Sequence, residues 1–302
     1  MGYRCCRRLL RFWFFSLLSV LLFVAGQQAL AQQASPRAQE LLARHAAIQA
    51  QLATSPLGQP LLIDSEELPD GVRGEVFAEL DQPFTQVTQA LARPGNWCAM
   101  LLLHVNNRRC KLIRGDGAVP PTVELSVVRR WDLPVESAFI LDMAMRVDSS
   151  AADYLMVDLR SADGPMGTRA HQVQVEAIAL AGGSRTFLHF SYAYLHNTMA
   201  RLASQAYLAT FGRSKVGFTV VGDGPEYIRG LRGLVERNSM RYFLTVSAYL
   251  DAMRVPPAQQ PDRRLENWFA SAERFPRQLH EIDHATYVAI KRSDRQVAEA
   301  SP

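Results

Sequence analysis

The feature that most constrains this chain is a run of alternating segments between Thr122 and Asn197, followed by one long amphipathic stretch at residues 227–253. Alternation of apolar and polar residues with a period of two predicts β-strands, whereas apolar residues three and four positions apart predict a helix. A shorter helical pattern at residues 84–104 precedes the strands. This order predicts a curved antiparallel sheet that grips one long helix, with a ligand chamber between the two.

Residues 1–31 have the composition of an export signal. Four arginines form a basic start, residues 12–26 are almost entirely apolar, and residues 29–31 supply the small-residue cleavage pattern. The apolar run has 15 residues, fewer than the roughly 20 that cross a bilayer as a helix. Two interpretations stay open, a cleaved signal and an inner-membrane anchor formed by residues 9–31. Both predict that the body lies outside the cytoplasm, periplasmic or secreted.

The net charge of +4 is carried by the predicted leader. The chain has 33 basic and 29 acidic residues, and residues 1–31 contain four arginines and no acidic residue. Without the leader the chain is formally neutral, so its overall basicity gives no reason to expect a nucleic-acid partner. A neutral body suits an uncharged or amphipathic ligand, and the sequence predicts a hydrophobic small molecule or lipid as partner.

Outside the leader the chain has two cysteines, Cys98 and Cys110, which are 12 positions apart. Two cysteines in an exported chain predict a disulfide that closes a short loop. Such a loop contributes about 3 kcal/mol in the chain-entropy model. The alternative is a pair of separately buried thiols.

The patterns divide the chain into four parts: the leader at 1–31, an N-terminal helix and linker at 32–70, a ligand-binding domain at 71–255 and a C-terminal extension at 256–302. The N-terminal helix is predicted to begin after Ser35, since serine is a favoured N-cap and Pro36 follows at the first helical position.

Further elements are predicted around the long helix. Residues 64–70 favour an acidic turn, residues 199–211 a helix and residues 215–221 a strand, so 199–221 forms an insertion before the last helix. The tail is predicted to contain a helix with Trp268 and Phe269 and then a strand at 287–290.

One strand and the long helix stand out by the distribution of their apolar residues. Residues 185–196 are apolar on both sides, which is typical of a central strand covered on both faces. The long helix has one apolar stripe, formed by Ile228, Leu231, Val235, Tyr242, Val246, Tyr249 and Met253. Arginines, among them Arg237 and Arg241, line much of the remaining helix surface.

The order of elements resembles the helix-grip fold of the START and polyketide-cyclase-like superfamily (SRPBCC), and it is similar to the Bet v 1-like group. The resemblance rests on residues 75–80 leading into 84–91, on Asn96-Trp97-Cys98, on residues 183–188 and on the long helix. It covers residues 71–253 and implies an α+β fold with a curved antiparallel sheet gripping a long C-terminal helix. The superfamily has no invariant catalytic motif, so the resemblance implies no residue roles. The 199–221 insertion and the C-terminal extension depart from its pattern.

Candidate ligand contacts lie on the last strand and the long helix. The predicted wall of the chamber consists of Phe190, Tyr192, Tyr194, Tyr242, Val246, Tyr249 and His189. Aromatic side chains of this kind line apolar chambers, although they also form ordinary cores. His189 is in addition the one weak candidate for a catalytic general base. The alternative for His189 is a core histidine with a hydrogen-bonded partner.

Two charged patterns have simpler explanations. Asp142, Arg146, Asp158 and Arg160 alternate with apolar residues on neighbouring strands and predict either a solvated face with cross-strand pairs or polar anchors inside the chamber. Residues 280–284 match the zinc-protease signature H-E-x-x-H. Only 18 residues follow, without a convincing third ligand, so the sequence predicts no metal and no cofactor.

The sequence therefore predicts an exported binding or carrier protein for a hydrophobic or lipid-like ligand held between the sheet and the long helix. A cavity enzyme of cyclase or hydrolase type with His189 as base is the second hypothesis. A ligand-free envelope scaffold is the third.

Overall fold

The computed structural model describes residues 35–116, 118–210, 212–222 and 224–300. The predicted leader lies outside the described residues. The described part contains one eight-stranded antiparallel sheet and is α+β. Its strands are β1 (Leu61–Leu68), β2 (Gly71–Leu80), β3 (Asn107–Ile113), β4 (Thr122–Val127), β5 (Phe139–Asp148), β6 (Tyr154–Asp163), β7 (Thr168–Leu180) and β8 (Arg185–His196). Its α-helices are α1 (Pro36–Ala53), α2 (Phe84–Leu91), α3 (Pro94–Leu101), α4 (Thr198–Ala209), α5 (Gly230–Ala252), α6 (Gln260–Glu273), α7 (Pro276–Leu279) and α8 (His284–Ala300).

The order of strands across the sheet is β1-β2-β8-β7-β6-β5-β4-β3. After β2 the chain passes through the short helices α2 and α3 to the far edge, and β3 to β8 then return strand by strand until β8 pairs with β2. The long helix α5 lies on one face of this sheet and contacts β1, β2 and β8. This is the helix-grip arrangement, which confirms the predicted fold class.

The central strand β8 is covered on both faces, as its two-sided apolar sequence predicts. Phe187 is fully buried on the side of α1, where it joins a cluster with Phe77 and Ile48. Phe190 is buried on the side of α5. The N-terminal helix α1 begins as predicted, because the Ser35 hydroxyl accepts a hydrogen bond from the backbone N–H of Ala38 at 3.1 Å. The sheet therefore separates two apolar layers.

The long helix is buried nearly all round. Gly74 of β2 allows the close approach, because a Cβ at this position would lie 2.5 Å from the Ser239 hydroxyl of α5. On its other side α5 packs against α6 and α7 of the C-terminal extension. Arg237 and Arg241 are each 3% exposed as a result. The extension therefore covers these two residues, which lie outside the predicted apolar stripe of the helix.

Three local predictions are wrong. Residues 64–68 form most of β1, which pairs with β2, so residues 61–68 are part of the sheet and not of a linker. Residues 215–221 form no strand and contribute an isolated bridge between Val220 and Tyr227. Residues 287–290 lie within α8, because Tyr287 and Lys291, one helical turn apart, both face the core.

The predicted disulfide between Cys98 and Cys110 is present, with a Cα–Cα distance of 5.3 Å. It joins the end of α3 to the edge strand β3. The mutual position of these two elements is thereby fixed covalently, and this position defines one wall of the site described below.

Candidate functional site

Aromatic side chains pack against one another in the space between the sheet and α5. The rings of Tyr192 and Tyr242 lie 5.6 Å apart, and the ring of His104 stacks on Tyr242 at 4.6 Å. Val246 is 1% exposed and Phe190 is 1% exposed. The predicted wall residues Phe190, Tyr192, Tyr194, Tyr242, Val246 and Tyr249 thus form part of the protein core. That they contact a ligand stays a prediction.

Polar groups are nevertheless present inside this core. Burial raises the pKa of Tyr242 to about 12, and the neighbouring Asn107 side chain acts in the opposite direction. Burial, reinforced by the positive charge of Arg241, lowers the pKa of His104 well below its ordinary value, so this imidazole is neutral. Its Nε2 atom has no hydrogen-bond partner within the described residues. No local sequence pattern singles out His104, because Tyr242 and Arg241, which surround it, are distant in sequence.

His189 faces the opposite side of the sheet. Its ring stacks on Phe77 at 4.6 Å, and its two nitrogens donate to Glu176 at 3.1 Å and to Glu75 at 2.9 Å. These residues line a cavity of about 350 Å³ beneath α1, together with Arg37 and others. His189 therefore lies in a charged cluster and not in the predicted chamber.

The two carboxylates determine the charge of His189. Burial disfavours the charged imidazole, but the hydrogen bonds to Glu176 and Glu75 outweigh burial and raise its pKa. The hydrogen bond to His189 lowers the pKa of Glu75 in return. An imidazolium with both N–H groups bound has no lone pair to accept a proton, so this arrangement disfavours a general base at neutral pH.

The charged residues on β5 and β6 lie on the face opposite the core. Asp142, Arg146 and Arg160 are exposed, while Asp158 is buried beside Arg160 at 2.6 Å and accepts a hydrogen bond from Gln172. Of the two open alternatives, this placement agrees with a charged outer face that has cross-strand pairs. None of the four lies in the core between sheet and helix.

The segment that matches H-E-x-x-H does not assemble a metal site. His280 and His284 hydrogen-bond to Glu273 and Glu266, and both histidines are half exposed. Glu281 points inward instead and accepts hydrogen bonds from Arg237, Arg241 and Lys215. Within the residues that the structure describes, no three His, Cys, Asp or Glu side chains are placed to hold a metal ion. The two histidines of this segment thus bond to separate carboxylates, and its glutamate points away from them.

A larger cavity lies on the other side of the molecule, outside the predicted chamber. We call it the outer groove; it has a volume of about 700 Å³ and is lined by residues of α3, β3, α6 and α8, with contributions from β4 and β5. Both cysteines of the disulfide, Cys98 and Cys110, belong to its wall. The groove forms only because the C-terminal extension packs beside the edge strand β3, so no local sequence pattern predicts it.

The outer groove combines an apolar floor with a charged lip. Leu103 and Leu265 are 3% and 6% exposed at its base, whereas Ile140 is 46% exposed at its border. Among the described residues, Glu124 is the one acidic residue of the lining. Five cationic side chains also line the groove, namely Arg109, Lys111, Arg264, Lys291 and Arg295. This composition suits an amphipathic small molecule better than a purely apolar one.

Two interactions anchor α8 beside the groove. The Tyr287 hydroxyl donates to the carbonyl of Leu103 at 2.9 Å, and Lys291 Nζ donates to the carbonyl of Asn107. Burial lowers the pKa of Lys291 to about 8, although the neighbouring carboxylate of Asp294 acts in the opposite direction. The extension is therefore fixed to the sheet edge by buried polar contacts as well as by apolar packing.

No helix in the described ranges combines the length and the hydrophobicity required to span a membrane.

No family model matches the chain, and no curated protein matches it. Solved structures similar to it include ginseng major latex-like protein 151 from Panax ginseng, with 11% identity, a TM-score of 0.36, and coverage of 61% of this chain and 99% of that one. Human StAR-related lipid transfer protein 5 shares 10% identity at a TM-score of 0.34, over 59% of this chain and 90% of that one. Norcoclaurine synthase from Thalictrum flavum, in complex with dopamine and hydroxybenzaldehyde, shares 14% identity at a TM-score of 0.33, over 51% and 79%.

The matched structures are members of the helix-grip superfamily that the sequence resembles. The fold is a helix-grip fold. This assignment rests on the strand order and on the position of α5 described above, since the similarities themselves are remote.

Proposed function

We propose that this protein binds an apolar or amphipathic small molecule in the outer groove and carries it outside the cytoplasm. The observation that supports the proposal is the groove itself, whose volume of about 700 Å³ lies within the range of roughly 300–1,000 Å³ typical of small-molecule sites. The buried floor around Leu103 and Leu265 would remove apolar ligand surface from water, at about 25 cal/mol per Å².

The proposed site differs in position from the chamber between sheet and helix. A ligand in that chamber would have to displace Tyr242 or Tyr192, which are in ring contact with each other. Displacement of packed aromatic side chains costs free energy, whereas the outer groove accepts a ligand without such a rearrangement. We therefore place the ligand at the groove.

The proposed location outside the cytoplasm is supported by two features. The disulfide between Cys98 and Cys110 is a bond that persists in oxidising compartments such as the periplasm. Residues 1–31 have the composition of an export signal. Both features are independent of the groove.

The first test is direct analysis of the protein for a co-purified ligand. The chain from Gln32 is produced in an oxidising compartment, measured by native mass spectrometry and then extracted with solvent. We expect a stoichiometric apolar or amphipathic compound. An empty protein that also fails to bind the neutral apolar dye Nile red would contradict the proposal.

The position of the ligand is tested with matched tryptophan variants. Ala99→Trp places a large side chain on α3 in the outer groove, and we expect it to abolish dye or ligand binding. Ala270→Trp adds the same side chain at an exposed position of α6 that is not part of the groove lining, and we expect no effect. Equal binding by both variants and the unmodified protein would exclude the groove as the site.

A further inference from the structure

We propose that the outer groove selects a ligand with an anionic head group, a carboxylate or a phosphate ester, which binds the unpaired cations of the lining, Arg264, Arg109 and Lys111. The inference rests on the proposed function, because it concerns the head of the same ligand. It follows from the partners that each cation of the groove has within the protein.

Two of the five cations already have carboxylate partners. Arg295 donates two hydrogen bonds to Asp262, each at 3.2 Å. Lys291 lies 3.2 Å from the carboxylate of Asp294. The negative charge beside each group offsets its attraction for a ligand, so these two residues contribute less to selection than the other three.

Arg264 has no such partner. Its guanidinium lies over the ring of Tyr249, 4.0 Å from the ring centroid, and donates one hydrogen bond to the side-chain carbonyl of Gln260 at 3.1 Å. Its Nε atom is buried and lacks an acceptor, and no carboxylate of the described residues forms an ion pair with it. Burial lowers the pKa of Arg264; Tyr249 acts in the opposite direction, and the charge of Arg295 adds a smaller lowering. A partly buried cation without counter-charge is stabilised by a bound anion.

Arg109 and Lys111 extend the positive charge along the edge strand. They project from the face of β3 opposite Cys110 and Leu112, because side chains alternate along a strand. Their cross-strand neighbours on β4 are Ser126 for Arg109 and Glu124 for Lys111, and neither cation forms an ion pair within the described ranges. One acidic lining residue thus faces three cations that lack a bonded carboxylate.

The positions of charge and apolar surface indicate how the ligand would be oriented. Leu103 and Leu265 form the buried floor, while Arg109 and Lys111 are exposed at the lip. An alkyl chain would lie against the floor and the anionic group would remain at the lip, where it keeps part of its hydration. This orientation avoids burial of an unpaired charge.

The test compares four single-chain ligands of equal chain length: an alkyl carboxylate, an alkyl phosphate, an alkyl alcohol and an alkyl amine. Each is titrated into the protein below its critical micelle concentration and measured by displacement of Nile red. We expect the carboxylate or the phosphate, or both, to bind roughly tenfold or more tightly than the alcohol. This preference is expected to weaken as ionic strength rises. The comparison of carboxylate with phosphate identifies the head group.

Variants that each remove one positive charge test which residues cause the preference for an anionic head group. Arg264→Gln and Arg109→Gln are each expected to reduce anion affinity by roughly tenfold and to leave alcohol affinity unchanged. Arg263→Gln removes the same charge from the neighbouring position of α6, which is exposed and does not line the groove; we expect no effect. Because Arg264 also contacts Tyr249, the thermal midpoint of each variant is measured, and the exposed Arg109 provides a test that does not depend on core packing.

Each outcome distinguishes this inference from the proposed function. Equal affinity for the carboxylate, phosphate and alcohol would overturn the anionic head group but leave the groove as an apolar binding site. Preference for the amine would overturn it as well. Failure of all four ligands and of Nile red to bind would instead contradict the proposed function.

Discussion

Glu281 accepts a hydrogen bond from Arg241 at 2.8 Å, and this contact joins the C-terminal extension to the long helix α5. The same oxygen also accepts from Arg237 at 2.7 Å and from Lys215 at 3.0 Å. One carboxylate thus compensates three cations, two of which are almost completely buried. The residue therefore holds the extension in the place where it completes the outer groove.

Glu281→Gln is expected to destabilise the protein strongly. The substitution removes the carboxylate that compensates the buried guanidinium groups of Arg237 and Arg241, and loss of one member of a buried ion-pair cluster costs about 3 kcal/mol or more. Denaturant unfolding monitored by circular dichroism gives the free energy of unfolding. Glu273→Gln, which removes a carboxylate paired with the half-exposed His280, serves as the control and is expected to cost less than about 1 kcal/mol. Similar losses in the two variants would contradict the assigned role.

The stability of the protein is expected to fall in acid because of the same residue. Burial opposes ionisation of Glu281, but the charges of Arg241, Lys215 and Arg237 outweigh it and lower its pKa to about 2. A carboxylate with a folded-state pKa below its value in the unfolded chain contributes stability above about pH 4.5, and this stability is lost as the pH falls towards 2. Unfolding free energies measured across this window should show a steeper decline for the unmodified protein than for Glu281→Gln. Parallel curves would exclude this explanation.

His189 is expected to be protonated at neutral pH. Burial alone would lower its pKa, but the carboxylates of Glu176 and Glu75 raise it overall. The folded-state pKa therefore lies above the unfolded value, so the associated stability is complete below about pH 6.5 and is lost as the pH rises through the folded-state pKa. Nitrogen-15 NMR of the imidazole should show both nitrogens protonated at pH 7. A neutral tautomer at this pH would restore His189 as a candidate base.

Removal of the disulfide is expected to weaken both stability and binding. Replacement of Cys98 and Cys110 by alanine removes a cross-link over a sequence separation of 12, which costs about 3 kcal/mol in the chain-entropy model. Since both residues line the outer groove, α3 and β3 are expected to move apart more easily and ligand affinity to fall. Nile red titration and thermal unfolding of the double variant measure the two effects. Loss of stability with unchanged affinity would show that the wall does not depend on the bond.

Tyr242→Ala distinguishes ligand binding between the sheet and α5 from ligand binding in the outer groove. The truncation removes a ring that contacts both His104 and Tyr192, and such a substitution costs about 3–5 kcal/mol. Affinity in the outer groove is expected to stay unchanged. Tyr242→Phe keeps the ring and loses only the hydroxyl, so it should cost about 1 kcal/mol. A large loss of ligand affinity in Tyr242→Ala at a temperature where the variant is folded would place the ligand in the chamber.

Most of the sheet could be predicted from the sequence because its strands have clear apolar alternation. Phe187 and Phe190 on opposite sides of one strand correctly indicated a central position. β1 was missed, since Asp64, Glu66 and Glu67 resemble a polar turn when their partner β2 is not considered. The β-propensity of residues 287–290 was misleading, because burial of Tyr287 against α6 and the core outweighs local preference.

The candidate site was harder to predict than the fold. The outer groove depends on contacts between residues more than 150 positions apart, such as Tyr287 with Leu103 and Lys291 with Asn107. No periodicity in either segment encodes these pairs. The sequence singles out His189, but the direction of its side chain depends on the register of β8 against β2, which opposes it to Phe77.

The two edges of the sheet have opposite charge. β1 exposes Asp64, Glu66 and Glu67, whereas β3 exposes Arg109 and Lys111. If both edges were open, the acidic edge of one copy could pair with the basic edge of another, and such pairing would propagate without closing. Helix α8 packs along β3, and the extension thereby limits access to this edge of the sheet.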